Sequence, residues 1–368
     1  MNLNRKLMAH LRAAARSLLR AGPGGPGAVA QQAVKHATAL QRLTQRQARD
    51  FAGAPTMPAP APTPVPTPPA EPVAPRHAPQ HTPQRTPHGS LPGSFIDGSH
   101  ANAAGHRDFK LYIPGSYIDG PAPLLVMLHG CSQDPEDFAN GTQMNVLAEE
   151  IGCLVLYPAQ SKSANPSRCW NWFNAVDQRR DEGEPSIIAG MTRAVMDDYA
   201  VDADQVYVAG LSAGGAMATI MGTLYPDLYA AVGVHSGLPF AAANDLSSAL
   251  SAMRGAFRRS EPSERSLPII VFHGDRDTTV HPANGEEVVV RGARHLAQAA
   301  TAEPGRVPDG HAYTRTLYPG DDGIVHAEHW LVHGAGHAWF GGNARGSYTD
   351  GKGPDASREM MRFFRTRR

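Results

Sequence analysis

The chain contains a serine, an aspartate and a histidine whose spacing could support nucleophilic catalysis. Ser212 is the serine of a G-x-S-x-G segment that lies between a β-branched run and an Ala/Met-rich helical run. Gly210 and Gly214 supply the small neighbours that a serine needs on a tight turn between a strand and a helix. The segment therefore predicts a nucleophile at Ser212, although a structural turn with an incidental serine would give the same short pattern.

A serine hydroxyl is a poor nucleophile at neutral pH, so it needs a histidine to take its proton and a carboxylate to orient that histidine. The segment 273–277, which contains two aspartates, follows one predicted strand, and the segment 334–337, which ends in His337, follows the last one. The chain order serine, aspartate, histidine is the order that α/β-hydrolases use. We therefore expect a catalytic triad.

Two aspartates compete for the acid role in this triad. Asp277 is preferred, because a turn that leaves the strand at His273 and Gly274 needs about two more residues before a side chain points back across the strand ends. Asp275 is expected to cap that turn with its side-chain oxygen.

The choice of His337 among 17 histidines depends on its position. His337 lies just beyond the final predicted strand, between Gly336 and Ala338, on a loop whose small residues let the ring approach the serine. Three other histidines nearby lie in or close to the strand itself, where packing or solvent exposure accounts for them: His326, His329 and His333.

The segment 128–131 ends an early strand and opens a loop. In α/β-hydrolases this position supplies one backbone donor of the oxyanion hole, and the residue after the nucleophile supplies the other. The expected donors are therefore the N–H groups of Cys131 and Ala213. The Cys131 thiol is either free or bridged to Cys169, and the sequence spacing leaves both open.

Tryptophans near these segments are candidates for substrate binding. Trp172 lies in the segment 169–173, and Trp339 lies two residues after His337. Indoles suit a groove for an apolar acyl chain that carries ester carbonyls. The alternative, which is as probable for Trp170, is that these rings only fill the core beneath the loops.

The elements that must position these residues alternate between strands and helices. The predicted strands are 109–113, 124–128, 154–157, 206–209, 231–235, 268–273, 313–318 and 329–332. The predicted helices are 135–151, 186–199, 213–224, one within 244–258, and 355–364. This alternation predicts an α/β fold with a mostly parallel sheet and helices on both faces. Reactive groups gather at the carboxyl ends of the strands in such a sheet.

The first 92 residues differ in composition from the rest. Residues 1–53 are predicted to form a basic amphipathic helical segment, and residues 54–92 are a Pro/Ala/Thr-rich linker that is predicted to be disordered. The catalytic domain is predicted over 93–368. A membrane-surface or granule contact through residues 1–50 and a marginal, partly disordered helix pair both fit the amphipathic pattern.

The composition excludes several classes of protein. The 34 basic and 34 acidic residues balance, so no overall charge favours nucleic acid. Three cysteines without paired spacing do not form a zinc site, and neither a metal nor a cofactor is predicted. No apolar run is long enough for a transmembrane helix, and arginines interrupt the segment where a secretion signal would be apolar.

Five segments together resemble the polyhydroxybutyrate (PHB) depolymerase family of esterases: 128–133, 169–173, 210–215, 273–277 and 334–339. The resemblance covers essentially all of the chain after the linker. It implies an α/β-hydrolase fold, Ser212 as nucleophile with Asp277 and His337 as its partners, and ester substrates. It also suggests an extracellular location, whereas the lack of a visible signal peptide favours a cytoplasmic one.

The sequence therefore predicts a serine esterase that acts through an acyl-enzyme on short-chain poly(3-hydroxyalkanoate) or its oligomers. Secreted family members usually carry a separate substrate-binding domain, which is not visible here, so soluble esters and oligomers are favoured over crystalline polymer. A feruloyl or acetylxylan-type esterase is the alternative within the fold. A granule- or membrane-associated binding protein is the alternative from another class, but it would not need a serine, an aspartate and a histidine at three strand ends.

Overall fold

The computed structural model describes residues 93–118, 120–256, 267–293, 296 and 299–366. The predictions for residues 1–53 and 54–92 lie outside the described residues, and the domain boundary at residue 93 stays a prediction. Within the described part, ten strands form one sheet in the order β1–β2–β4–β3–β5–β6–β7–β10–β9–β8. Those strands are β1 (Ser94–Asn102), β2 (Gly105–Ile113), β3 (Ala122–Leu128), β4 (Leu154–Pro158), β5 (Val201–Leu211), β6 (Ala231–His235), β7 (Ile269–Gly274), β8 (Thr301–Arg306), β9 (Ala312–Pro319) and β10 (Val325–Val332). A short parallel pair, β11 (Trp339–Phe340) and β12 (Thr349–Asp350), lies outside this sheet.

Six neighbouring strands in the middle of the sheet, from β4 to β10, are parallel. The outer strands β1, β2, β9 and β8 pair antiparallel. Because parallel strands end at the same edge of a sheet, the loops that follow β3, β5, β7 and β10 all open on one edge. Every candidate catalytic residue lies on one of these loops.

The described residues contain seven α-helices: α1 (Pro135–Thr142), α2 (Met144–Ile151), α3 (Gly183–Asp198), α4 (Ala213–Leu224), α5 (Leu246–Met253), α6 (Ala283–Gly292) and α7 (Ala356–Arg365). The prediction of a single helix over 135–151 is wrong. Gln143 adopts a left-handed conformation with φ 55°, ends α1 and precedes α2. This geometry divides the predicted helix in two.

The core lies on both faces of the sheet. Along β3, Leu124 and Val126 pack into one buried cluster with α3 and α4, whereas Leu125 and Met127 pack into another with α1, α2 and α7. A strand that is buried on both faces has a continuous apolar sequence, which is why this strand was visible in the sequence. The prediction of a mostly parallel sheet with helices on both faces is confirmed.

The last helix contributes to the core beneath the nucleophile strand. The ring of Phe364 on α7 stacks on Tyr207 of β5, with the ring centroids 4.8 Å apart. Met360 lies close to Gly233 of β6, where a Cβ atom would fall only 2.8 Å from its sulfur. None of the described helices has the length and apolar character needed to cross a membrane.

Candidate active site

Ser212 lies on a strained turn between β5 and α4. Its backbone angles are φ 57° and ψ −119°, and its N–H donates to His235 O over 2.9 Å. A positive φ at a non-glycine residue costs about 1–3 kcal/mol and persists only where the surrounding structure imposes it. A Cβ atom at Gly214 would overlap Leu128 O, and one at Gly210 would overlap the Gly214 backbone. Both glycines are therefore needed for β5, α4 and β3 to approach each other at this turn.

His337 and Asp277 form a short, buried pair. Nδ1 of His337 lies 2.6 Å from Oδ2 of Asp277, and the two side chains are 10% and 0% exposed. The other carboxylate oxygen of Asp277 accepts the N–H groups of Thr279 and Val280 over 2.8 and 2.9 Å. With its Nδ1–H donated to the carboxylate, His337 has Nε2 left to take up a proton.

The environment of Asp277 favours its ionised form. Burial alone would raise the pKa of this carboxyl, but the nearby rings of His273 and His337 outweigh burial and hold the pKa well below its usual range. In a catalytic triad, an ionised carboxylate fixes the tautomer of the histidine ring and stabilises the imidazolium that forms.

Backbone hydrogen bonds tie the aspartate loop to the histidine loop. Arg276 N–H donates to Ala335 O over 3.0 Å, and Asp275 N–H donates to Val332 O over 3.1 Å. The parent strands β7 and β10 are themselves neighbours in the sheet. Asp277 and His337, which are 60 residues apart in sequence, are thus brought together by strand pairing and by these bonds.

Asp275 differs from its expected role. Its Oδ1 accepts the Gly334 N–H over 2.7 Å, and its Oδ2 lies 3.1 Å from Nδ1 of His333. The expectation that it caps its own turn is wrong, because its carboxylate reaches across to the loop that carries His337. Asp275 therefore supports that loop without contacting His337.

Two buried histidines at the site were not predicted. Nε2 of His273 donates to Val280 O over 2.9 Å and lies 3.5 Å from Oδ2 of Asp277. Nε2 of His235 accepts the Phe340 N–H over 3.1 Å, while the His235 carbonyl accepts the Ser212 N–H. Burial lowers the pKa of His235 well below its usual value, so its ring stays neutral and able to accept. Both residues end a predicted strand, and that position was the only signal in the sequence.

The expected oxyanion loop lies directly against the nucleophile. A Cβ atom at Gly130 would lie 3.6 Å from the Cβ atom of Ser212. Gly130 N–H donates to Oε1 of Gln133, and Ser132 N–H donates to Ser167 O. Cys131 is disulfide-bonded to Cys169, which resolves the alternatives that the sequence left open. The use of the Cys131 and Ala213 N–H groups as oxyanion donors stays a prediction. Ala213 is the first residue of α4, so its N–H has no hydrogen-bond partner within the helix and is open to such a role.

A buried polar network packs against the expected oxyanion loop that follows β3. Glu184 accepts hydrogen bonds from Arg107, Gln160 and Asn171, and burial raises its pKa. Gln160 N–H donates in turn to Nε2 of His129, the residue before Gly130. The network thereby connects the oxyanion loop to the segment that contains Cys169.

The tryptophans that were predicted to contact substrate are buried. Trp339 is 1% exposed, stacks on His235 and donates its indole N–H to Oγ of Ser357, so the prediction of substrate binding by Trp339 is wrong. Its indole fills the core beneath the histidine loop. Trp172 is 6% exposed and packs edge to face on Phe173. A substrate contact through Trp172 stays a prediction that would have to use this small exposed edge. Trp170 is fully buried and donates to His129 O.

Comparison with known proteins gives a family match. The family model described as Esterase PHB depolymerase matches residues 107–303. The chain is 31% identical over 246 residues to the poly(3-hydroxyalkanoate) depolymerase C of Paucimonas lemoignei, a match that covers 63% of this chain and 58% of the relative. It is 29% identical over 242 residues to the poly(3-hydroxybutyrate) depolymerase of Ralstonia pickettii, with 61% and 49% covered. The chain thus spans about half the length of the curated relatives it matches.

One solved structure is similar over most of the described fold. The acetyl xylan esterase from Aspergillus awamori superposes with a TM-score of 0.60 at 20% identity, over 74% of this chain and 99% of the other. At this identity the similarity concerns the fold, and it confirms the predicted α/β-hydrolase architecture.

Proposed function

Because this chain belongs to the esterase PHB depolymerase family, we propose that it hydrolyses carboxylic esters through an acyl-enzyme on Ser212. The observation that carries this proposal is the His337–Asp277 pair, 2.6 Å apart and buried, on the same sheet edge as a strained serine turn. A structural turn would not need a buried carboxylate held in its ionised form beside a histidine.

In the proposed first step, the Ser212 Oγ attacks the ester carbonyl carbon while its proton moves to Nε2 of His337. The carbonyl oxygen becomes negative and is stabilised by the N–H groups of Cys131 and Ala213. The tetrahedral intermediate then expels the alcohol, which takes the proton from His337. Asp277 stays ionised throughout and stabilises the imidazolium.

In the second step, water takes the place of the alcohol. His337 removes a proton from the water as it attacks the acyl carbon, and the proton then returns to the Ser212 oxygen when the acid leaves. His337 thus acts as base and then as acid in each half of the reaction.

We propose short-chain poly(3-hydroxyalkanoate) or its oligomers as the substrate. The names of the two relatives, a poly(3-hydroxyalkanoate) and a poly(3-hydroxybutyrate) depolymerase, support this class. Feruloyl and acetylated polysaccharide esters remain the alternative within the fold. Contact with a granule or membrane surface through residues 1–50 is a separate proposal, which depends on the basic amphipathic pattern of that segment.

The test combines one substitution with a substrate screen. We expect Ser212→Ala to lower turnover by about four to six powers of ten without loss of the fold, because the nucleophile is removed. Turnover is measured on p-nitrophenyl acyl esters, hydroxybutyrate oligomers and methyl ferulate, which sorts the substrate classes at the same time. Ser251→Ala, an exposed serine on α5, is the matched control and should behave as wild type. Wild-type turnover in Ser212→Ala would show that Ser212 is not the nucleophile.

A further inference from the structure

Tyr348 is an exposed aromatic residue beside the candidate active site. Its surface is 48% accessible, and among the described residues it is the one aromatic residue in the set of exposed large hydrophobic side chains. Its backbone is left-handed, with φ 53°. Such a conformation is uncommon for a bulky residue and is concentrated at functional sites.

Tyr348 connects two loops of the candidate site, one through its backbone and one through its side chain. Its carbonyl accepts the N–H of Trp339, two residues after His337, over 2.7 Å. Its hydroxyl lies 3.2 Å from Oγ of Ser132, the residue after the expected oxyanion donor Cys131. Because Ser132 Oγ donates to the Cys131 carbonyl, the tyrosine hydroxyl is the donor between the two. The phenol ring therefore extends from the histidine loop to the oxyanion loop.

The residues on either side of Tyr348 are fixed, which explains how the strained conformation persists. Ser347 N–H donates to Oδ1 of Asp137, and Ser347 O accepts from Nε2 of Gln133. Thr349 begins β12 and pairs with β11. An exposed ring that is held in place on both sides is preorganised, so little conformational entropy is lost when a ligand packs on it.

We propose that Tyr348 contacts the substrate and favours esters that extend beyond the scissile bond. This inference rests on the proposed esterase function. The ring offers an apolar face to the methyl and methylene groups of a hydroxyalkanoate chain. Tyr348 takes the place in recognition that the sequence assigned to Trp339, whose indole is buried.

The experiment compares kcat/KM for a hydroxybutyrate trimer with kcat/KM for p-nitrophenyl acetate, using the full chain. We expect Tyr348→Ala to lower the ratio of kcat/KM for the trimer to kcat/KM for p-nitrophenyl acetate about tenfold. This is the low end of the loss in specificity that one missing apolar contact causes. Tyr348→Asn is the second variant, because asparagine tolerates a left-handed backbone and also removes the ring. It should lower the ratio to a similar extent.

Two further variants serve as controls. Tyr348→Phe keeps the ring and should keep most of the preference for the trimer. Ile118→Ala removes a highly exposed apolar side chain elsewhere on the surface and should leave the ratio unchanged. Folding of each variant is checked by its thermal unfolding.

Equal losses on both substrates, or an unchanged ratio in Tyr348→Ala and Tyr348→Asn, would overturn the inference. A loss in Tyr348→Phe as large as in Tyr348→Ala would also overturn it, because the bond to Ser132 would then matter rather than the ring. A failure of the proposed function is distinguishable, since the wild-type chain would then hydrolyse neither ester or would keep its activity in Ser212→Ala.

Discussion

Two aspartates separated by a single residue play different parts at the site. Asp277 is buried and accepts from His337 and two backbone N–H groups, whereas Asp275 is exposed, accepts the Gly334 N–H and contacts the His333 ring. The two carboxylates thus contact different residues of the loop that follows β10.

This difference gives a prediction for matched substitutions. Asp277→Asn should lower kcat on p-nitrophenyl acetate on the order of 10⁴-fold, because the amide favours the wrong tautomer of His337. Asp275→Asn removes only loop support, and we expect a loss no larger than about 10²-fold, the cost of misplacing a catalytic group by about 1 Å. Steady-state kinetics of the two variants decide the ranking, and the reverse order would move the acid role to Asp275.

The sequence located Ser212, Asp277 and His337 because each of them follows the end of a strand. Ser212 has in addition a steric pattern of glycines that can be read directly. Tyr348 has no such signal, because its place depends on a left-handed turn and on contacts with Ser132 and Trp339 that are distant in sequence. Trp339 was misassigned because proximity to His337 along the chain does not determine on which side of the loop an indole packs.

At the level of elements, the central strands and the neighbouring β2 and β9 were predictable, whereas the two edge strands β1 and β8 were not. Strands β3 and β6 are buried on both faces and have continuous apolar sequences. Strands β1 and β8 at the two ends of the sheet are mostly exposed, and β8 contains Pro304 and Gly305, residues that argue against a strand unless it lies at an edge. Helix α6 was also missed, because it begins with Ala283, Asn284 and Gly285, which do not suggest a helix.

The junction of β5 and α4 gives a prediction about packing. Gly214→Ala should abolish activity and lower the yield of folded protein, because the new methyl group would overlap the Leu128 carbonyl at the end of β3. Gly336→Ala is the matched control, since a Cβ atom there meets nothing within 4 Å although His337 is the next residue. Activity and thermal unfolding of both variants are the measurements, and a stable, active Gly214→Ala would contradict the close approach of these elements.

At the level of the whole molecule, buried imidazoles make stability depend on pH. Burial lowers the pKa of His129 and His329 to about 4, from a usual value near 6.5. Between those two values the unfolded chain binds protons that the folded chain does not, so the free energy of unfolding falls as the pH falls through this window. Each such histidine costs about 2 kcal/mol at pH 5 relative to pH 7.5.

His329 provides the test, because its Nε2 is buried and has no hydrogen-bond partner among the described residues. His329→Leu should leave the free energy of unfolding at pH 7.5 nearly unchanged. Between pH 7.5 and pH 5, the variant should lose about 2 kcal/mol less of this free energy than the wild type does. Urea unfolding at the two pH values measures both. His326→Gln, a much more exposed histidine on the same strand, should keep the wild-type pH dependence, and an unchanged slope in His329→Leu would show that this ring titrates normally.

The position of β10 beside β7 has a consequence for the chain while it is being synthesised. A ribosome delivers Ser212 first and Asp277 next, but His337 follows β10, and the core beneath β5 is completed only by Phe364 near the end of α7. Under the proposed mechanism, a nascent chain that has reached residue 320 therefore has the nucleophile Ser212 without the base His337. Hydrolysis by this mechanism would therefore begin only when translation is almost finished, and we expect unfinished chains not to hydrolyse esters.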